Sequence, residues 1–301
     1  MSQLPAPKRL RPLGKSGIDV SGLAWGMWRF EGTPEAGLRL VEAALDSGIN
    51  FFDTADIYGF NGNDGFGDAE ALLGMILAAN PGLRGKMVLA SKGGIMPPLP
   101  YDSSSAYLTA AIDASLNRLN TDMLDLWHIH RPDILTHPQE IAETLHKAVK
   151  AGKIRALGVS NFTPAQVGAL QSFLDIPLVS TQPEISPLCL APLENGELDM
   201  AMQHNLAVMA WSPLGGGRIA VPENDRERAV AAALDAVAQA QNVSRTVAAY
   251  SWLMAHPARL IPIVGTQNIA RIAEAAQAYG VKWTRNEWYD VLVASRGEEL
   301  P

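Results

Sequence analysis

The stretch PEAGLRLVEAALDSGINFFD, from Pro34 to Asp53, decides the fold. From Pro34 to Ser47 the apolar residues recur at helical spacing. Thr33-Pro34 puts proline at the start of that pattern, where its missing N–H costs nothing. Gly48 follows, where a helix wants a left-handed terminal residue. Then comes a short β-prone run, Ile49 to Asp53, which ends on a carboxylate.

The same alternation runs outward in both directions. Further β-prone runs are Leu23 to Gly26, Met87 to Ser91, Leu124 to Ile129, Ile154 to Val159, Leu178 to Gln182, Ala207 to Trp211 and Leu260 to Val264. Helical spacing marks Ala69 to Ala79, Ser105 to Asn120, Pro138 to Ala151, Pro164 to Phe173 and Arg226 to Gln241. His137-Pro138 and Thr163-Pro164 repeat the proline start, and Gly82 and Gly152 repeat the glycine stop. Strands alternating with helices predict a parallel sheet with helices outside. Eight strands favour a closed (β/α)8 TIM barrel over an open doubly wound sheet. The first strand ends in Gly26-Met27-Trp28, which is not the GxGxxG of a dinucleotide-binding open sheet. Arg9 to Val20, with Gly14-Lys15-Ser16-Gly17 at its centre, reads as an N-terminal β-hairpin, and the end of the chain as a C-terminal helical extension. No linker or low-complexity tract divides the chain, so residues 1–301 are read as one domain.

Composition narrows the function. With 24 Lys+Arg against 31 Asp+Glu the net charge is −7, a poor match for gripping nucleic acid or an anionic membrane. No apolar stretch approaches the ~18 residues of a membrane span. Met1 to Arg11 lacks the apolar core of a secretory signal, and the one cysteine, Cys189, allows no internal disulfide. A cytoplasmic protein, monomer or small homo-oligomer, is expected.

In such barrels chemistry sits at the C-terminal ends of the strands. Those ends carry Asp53 (with Asp56 and Tyr58 beyond it), Lys92, His130, Ser160-Asn161, Gln182, Trp211-Ser212 and Gly265-Thr266. Successive members are about one repeat apart, so they converge on one rim. A tyrosine phenol titrates near pKa ~10. An ammonium at Lys92 is expected to lower that value for Tyr58, and Asp53 to keep Lys92 protonated. His130 can donate to an adjacent oxygen, so a carbonyl between Tyr58 and His130 would be polarised toward hydride. His128 points to the same face as His130, and a His-x-His pair admits a second reading, a metal-dependent barrel hydrolase. Trp127 faces the other way, under the helices. Ser160 and Asn161 can also be read as the N-cap region of the helix after Pro164.

The chain resembles the aldo-keto reductases. The matching pieces, in family order, are Asn50-Phe51-Phe52-Asp53-Thr54-Ala55-Asp56-Ile57-Tyr58-Gly59, Ser91-Lys92, Leu126 to Asp133, Gly158-Val159-Ser160-Asn161-Phe162, Gln182, Trp211-Ser212-Pro213-Leu214, and Ile261 to Thr266 followed by Arg271 and Glu274. The resemblance implies a TIM-barrel oxidoreductase reducing aldehydes or ketones with NADPH, NADH being the alternative cofactor. It implies Tyr58 as proton donor, Lys92 and Asp53 tuning it, and His130 orienting the small-molecule carbonyl substrate. It places Ser160, Asn161 and Gln182 on the cofactor carboxamide and Trp211 on the nicotinamide face. It lays Ser212, Pro213, Leu214, Gly216 and Arg218 along the pyrophosphate. Gly265, Thr266, Gln267, Arg271 and Glu274 fall at the adenosine end, with Arg271 on the 2′-phosphate. Gly26, Met27 and Trp28 complete the cofactor set, and Trp28 is also read as lining the substrate mouth.

The sequence departs from the family pattern in three places. Trp211 replaces the common Tyr or Phe, Ala275 follows Glu274 where Asn is common, and Gly265-Thr266-Gln267-Asn268 offers no basic residue before Arg271. A non-catalytic alternative within the family is a redox-sensing module that holds the cofactor and turns over feebly. The loops expected to shape the pocket are Trp28 to Thr33, Gly59 to Gly67, Ile95 to Ser103 and Val281 to Pro301. Asp64 and Asp68 flank the second of these and disfavour an anionic substrate.

Overall fold

A hairpin opens the chain: β1 (Leu10–Pro12) pairs antiparallel with β2 (Asp19–Ser21). Strands and helices then alternate in a computed structural model that describes residues 3–300. The strands are β3 (Ala24–Gly26), β4 (Phe51–Asp53), β5 (Val88–Gly93), β6 (Leu126–Ile129), β7 (Leu157–Ser160), β8 (Leu178–Gln182), β9 (Ala207–Ala210) and β10 (Ile261–Val264). Each bonds in parallel to its neighbours, and β10 bonds to both β9 and β3, so the eight close into a barrel. The helices are α1 (Pro34–Asp46), α2 (Asp68–Ala79), α3 (Ser105–Leu119), α4 (Pro138–Lys150), α5 (Pro164–Gln171), α6 (Ala191–Glu194), α7 (Glu197–His204), α8 (Asp225–Ala240), α9 (Arg245–Met254), α10 (Ile269–Ala275) and α11 (Arg285–Arg296). Among the described residues, no helix is long and apolar enough to cross a membrane.

Helix starts follow the local chemistry. The Thr33 hydroxyl accepts from the Ala36 amide, His137 Nδ1 from Gln139, and Thr163 forms a reciprocal capping box with Gln166. Thr163 therefore caps α5, and Ser160 and Asn161 do not. Gly48 and Gly152 hold positive φ values of 77° and 74° after α1 and α4. Gly82 departs from expectation: α2 ends at Ala79 with Asn80 as its C-cap, and Gly82 lies inside a 3-10 turn, Pro81–Lys86. Four helices, α6, α7, α9 and α10, lie outside the expected alternation. Every residue of α9 from Val247 to Met254 is buried, so its sequence shows no one-sided apolar stripe. The C-terminal helix α11 packs on α8, and its Trp288 stacks on Trp252 of α9 at 4.7 Å between centroids. The two indoles exchange Nε1–H bonds with each other's carbonyls, both at 3.0 Å.

The period of two along each strand sorts the side chains. Phe51, Val88 and Leu126 point inward, where Met209 and Ile261 join them. Phe52, Leu89 and Trp127 point outward into the helix layer. Leu13, Ile18 and Val20 of the hairpin are buried against the inward set, and Gly14 lies against the Val179 and Asn205 carbonyls. The hairpin thus floors the barrel at its N-terminal end, each apolar side chain contributing about 1.5–3 kcal/mol by burial. Above that apolar layer the same period turns Asp53, Lys92 and His128 inward.

Candidate active site

The loop after β4 is tied across the end of β5: the Thr54 amide donates to the Ala90 carbonyl and the Asp56 amide to the Lys92 carbonyl, both at 2.9 Å. A tight turn, with the Tyr58 amide donating to the Ala55 carbonyl, brings the Tyr58 ring back over the barrel. Lys92 is 0 % exposed. Its ammonium donates to Asp53 Oδ2 at 2.8 Å, to the Thr54 carbonyl at 2.9 Å and to Tyr58 Oη at 3.0 Å. An ammonium has three protons, and all three are placed. Tyr58 Oη therefore accepts from Lys92, and its own proton is left to point elsewhere. Asp53 Oδ1 accepts from Gln182 Nε2 at 3.0 Å, which fixes the carboxylate at both oxygens.

The electrostatics correct one expectation. Burial pushes the Tyr58 phenol upward, and the pull of Lys92 does not cancel it. Tyr58 is thus a protonated phenol rather than an incipient phenolate. Burial works against the charge on Lys92, but Asp53 and Tyr58 outweigh it and the net direction is upward. His130 lies edge-on to Tyr58, 5.9 Å between centroids. Burial first, then Lys92, Arg131 and His128, hold the His130 imidazole well below its usual range, so it is neutral. Its Nδ1 is buried without a partner. His128 lies beneath, with Nε2 at 2.9 Å from the Ser180 hydroxyl. Among the described residues no group of three metal-ligating side chains comes together. Trp28, 60 % exposed, stands edge-on to Tyr58 at 5.2 Å, which places it at the mouth.

The rim continues past the tyrosine. Asn161, at φ 60°, donates through Nδ2 to Ser160 Oγ at 2.8 Å and accepts at Oδ1 from Trp211 Nε1 at 2.9 Å. One face of the Trp211 indole meets Arg131, 5.5 Å from the ring centroid. Ser212 is also left-handed, at φ 51°, and its hydroxyl accepts from the Gly216 amide at 3.0 Å. Added Cβ atoms on Gly216 and Gly217 would meet open space, so this turn presents backbone rather than side chain. Arg218 is drawn aside: it bonds the Gly215 carbonyl and pairs with Glu227 at 3.2 Å. Farther round, Thr266 accepts from Trp25 Nε1 at 3.1 Å, and both polar side-chain atoms of Gln267 are buried without partners. Arg271 is exposed. An open backbone cradle, an unpaired amide and an exposed guanidinium fit an elongated phosphate-bearing cofactor such as a nicotinamide dinucleotide.

Sequence reasoning missed the groups behind the tyrosine loop. Tyr107 of α3 donates to Asp56 Oδ2 at 2.9 Å, and Glu70 of α2 accepts from Ser91 Oγ at 2.5 Å and pairs with Arg118. Helical spacing shows only that Tyr107 belongs to a helix; nothing in it says that the ring reaches Asp56. Burial pushes the Asp56 carboxyl up to about 8, against the opposing Tyr107 bond. Its folded value lies above the ordinary carboxylate value of 3.8, so its contribution to stability is fully present below that pH and is lost as pH rises to about 8. Denaturant melts at pH 5 and pH 8 should show a fall in wild-type stability on the order of a few kcal/mol, and a smaller fall in Asp56→Asn.

Comparison with known proteins bears on the family and the fold. The sequence model of the Aldo/keto reductase family matches residues 22–291. The chain belongs to that family. It is similar to a 6-dehydroglucose reductase of Novosphingobium aromaticivorans, 65% identical with all of both chains covered. A 6-dehydroglucose reductase of Agrobacterium fabrum is 36% identical over 94% of this chain and 97% of its own. The crystal structure of a thermostable aldo-keto reductase bound to the inhibitor epalrestat superposes with a TM-score of 0.82, covering 95% of this chain and 99% of the other at 24% identity, which bears on the fold alone.

Proposed function

We propose that this oxidoreductase reduces the aldehyde of a 6-dehydro sugar, glucose carrying a carbonyl at C6, to the primary alcohol, with NADPH as cofactor. The observation that carries the reaction is the saturated Lys92 ammonium, which leaves the Tyr58 proton free to face the mouth. The bound nicotinamide supplies the hydride. Tyr58 gives its proton to the carbonyl oxygen as negative charge develops there, and Lys92 holds the phenolate that remains. Asp53 keeps the lysine charged, and Gln182 keeps Asp53 in place. Neutral His130, edge-on to Tyr58, orients the same oxygen. Trp28 offers an exposed aromatic face beside Tyr58, suited to the C–H face of a sugar ring. Substrate identity is supported by the 65% identity to the Novosphingobium enzyme over the full length of both chains. The preference for NADPH rests on Arg271, exposed at the start of α10.

The test is turnover of the C6 aldehyde of glucose, followed at the reduced-cofactor absorbance with NADPH and, in parallel, NADH. Glucose should form in equal amount to oxidised cofactor, with kcat/KM at least about tenfold higher for NADPH, the equivalent of ~1.4 kcal/mol from one phosphate contact. No consumption of the aldehyde with either cofactor overturns the substrate; equal rates with both overturn the cofactor preference.

A further inference from the structure

The end of the barrel away from Tyr58 holds a second concavity. A cavity of about 310 Å³ lies between the N-terminal segment and the turn that joins α9 to β10. Pro5, Met254 and Leu260 form apolar walls, and Lys8, Arg11 and Arg259 bring cations to it. Arg11 projects from β1 and is only 8 % exposed. Its Nε is buried with no hydrogen-bond partner, and no carboxylate among the described residues pairs with it. Arg259 stands near enough to repel it. Burial first, then that neighbour, bring the Arg11 guanidinium down to about 10. Arg259 itself holds a left-handed backbone, φ 51°, fixed by its amide donating to the His256 carbonyl at 2.7 Å. A buried guanidinium without a counter-ion is costly, and a second cation beside it raises the cost. Such a cluster in a chain of net charge −7 runs against the rest of the molecule.

From the unpaired, nine-tenths buried Arg11, the facing Arg259 and the cavity they share, the geometry points to a binding site for a small oxyanion, specifically a phosphoryl group. The planar guanidinium fork matches phosphate oxygens in pairs. The remaining volume, walled by Pro5, Met254 and Leu260, admits a small organic body on the phosphate. The floor of such a barrel is not where chemistry occurs, so occupancy acts on stability and leaves turnover alone.

The probes are inorganic phosphate and glycerol 3-phosphate, added at constant ionic strength to the protein saturated with NADPH, so that the cofactor's own phosphate contacts are filled. At about a hundred times Kd the melting temperature should rise by roughly 3–5 °C. Arg11→Met and Arg259→Gln should each abolish most of that rise with kcat unchanged. A larger rise with glycerol 3-phosphate assigns the site to a phosphorylated small molecule; an equal rise assigns it to free phosphate. No rise in the wild type, or a rise of the same size in both variants, overturns the site. The outcome is independent of the aldehyde assay, so either reading can fail without the other.

Discussion

Tyr58→Phe is expected to lower kcat for aldehyde reduction by about 10²–10⁴-fold while leaving NADPH affinity within about twofold. The variant keeps the ring that meets Trp28 and His130 and deletes one oxygen. That oxygen is the third acceptor of Lys92, and its own proton is left free to point into the mouth. The loss belongs in kcat because the proton moves only as charge develops on the substrate oxygen. Steady-state kinetics with a fluorescence titration of the cofactor separate the two quantities. A variant with wild-type turnover would remove Tyr58 from the chemistry and leave His130 as the remaining donor.

Lys92→Met has the other large effect, and it is first an effect on folding. The substitution leaves Asp53 buried with its cation gone and only Gln182 still donating to it. Breaking a buried pair from one side typically costs about 3–5 kcal/mol, because the surviving charge is uncompensated. Denaturant unfolding of the variant beside the wild type measures this. Asp53→Asn combined with Lys92→Met should recover much of the lost stability and none of the activity. Equal stability of the single and double variants would show that the pair is not coupled as its geometry implies.

The barrel was legible because its repeat is written in local chemistry. Thr33-Pro34, His137-Pro138 and Thr163-Pro164 mark helix starts by what their own side chains and rings can do, and each holds in the structure. The polar strand ends were legible for a related reason: a side-chain period of two puts Asp53 above Phe51 and Lys92 above Ala90 without knowledge of any partner strand. What stayed hidden was relational. Whether Tyr58 is pushed up or down depends on burial competing with Lys92, and burial is a property of the assembled mouth. The same holds for Tyr107 meeting Asp56 across 51 residues and for Arg218 turning to Glu227. Helix α9 escaped because, enclosed on all sides, it has no polar face to give it a rhythm.

The hairpin floor makes the barrel a well rather than a tunnel. Leu13, Ile18 and Val20 seal one end with hydrocarbon, so water, buffer ions and amine-directed reagents approach Lys92 from above or not at all. Whatever molecule lies across the opening then acts as a second cover over an ammonium that the protein alone already buries.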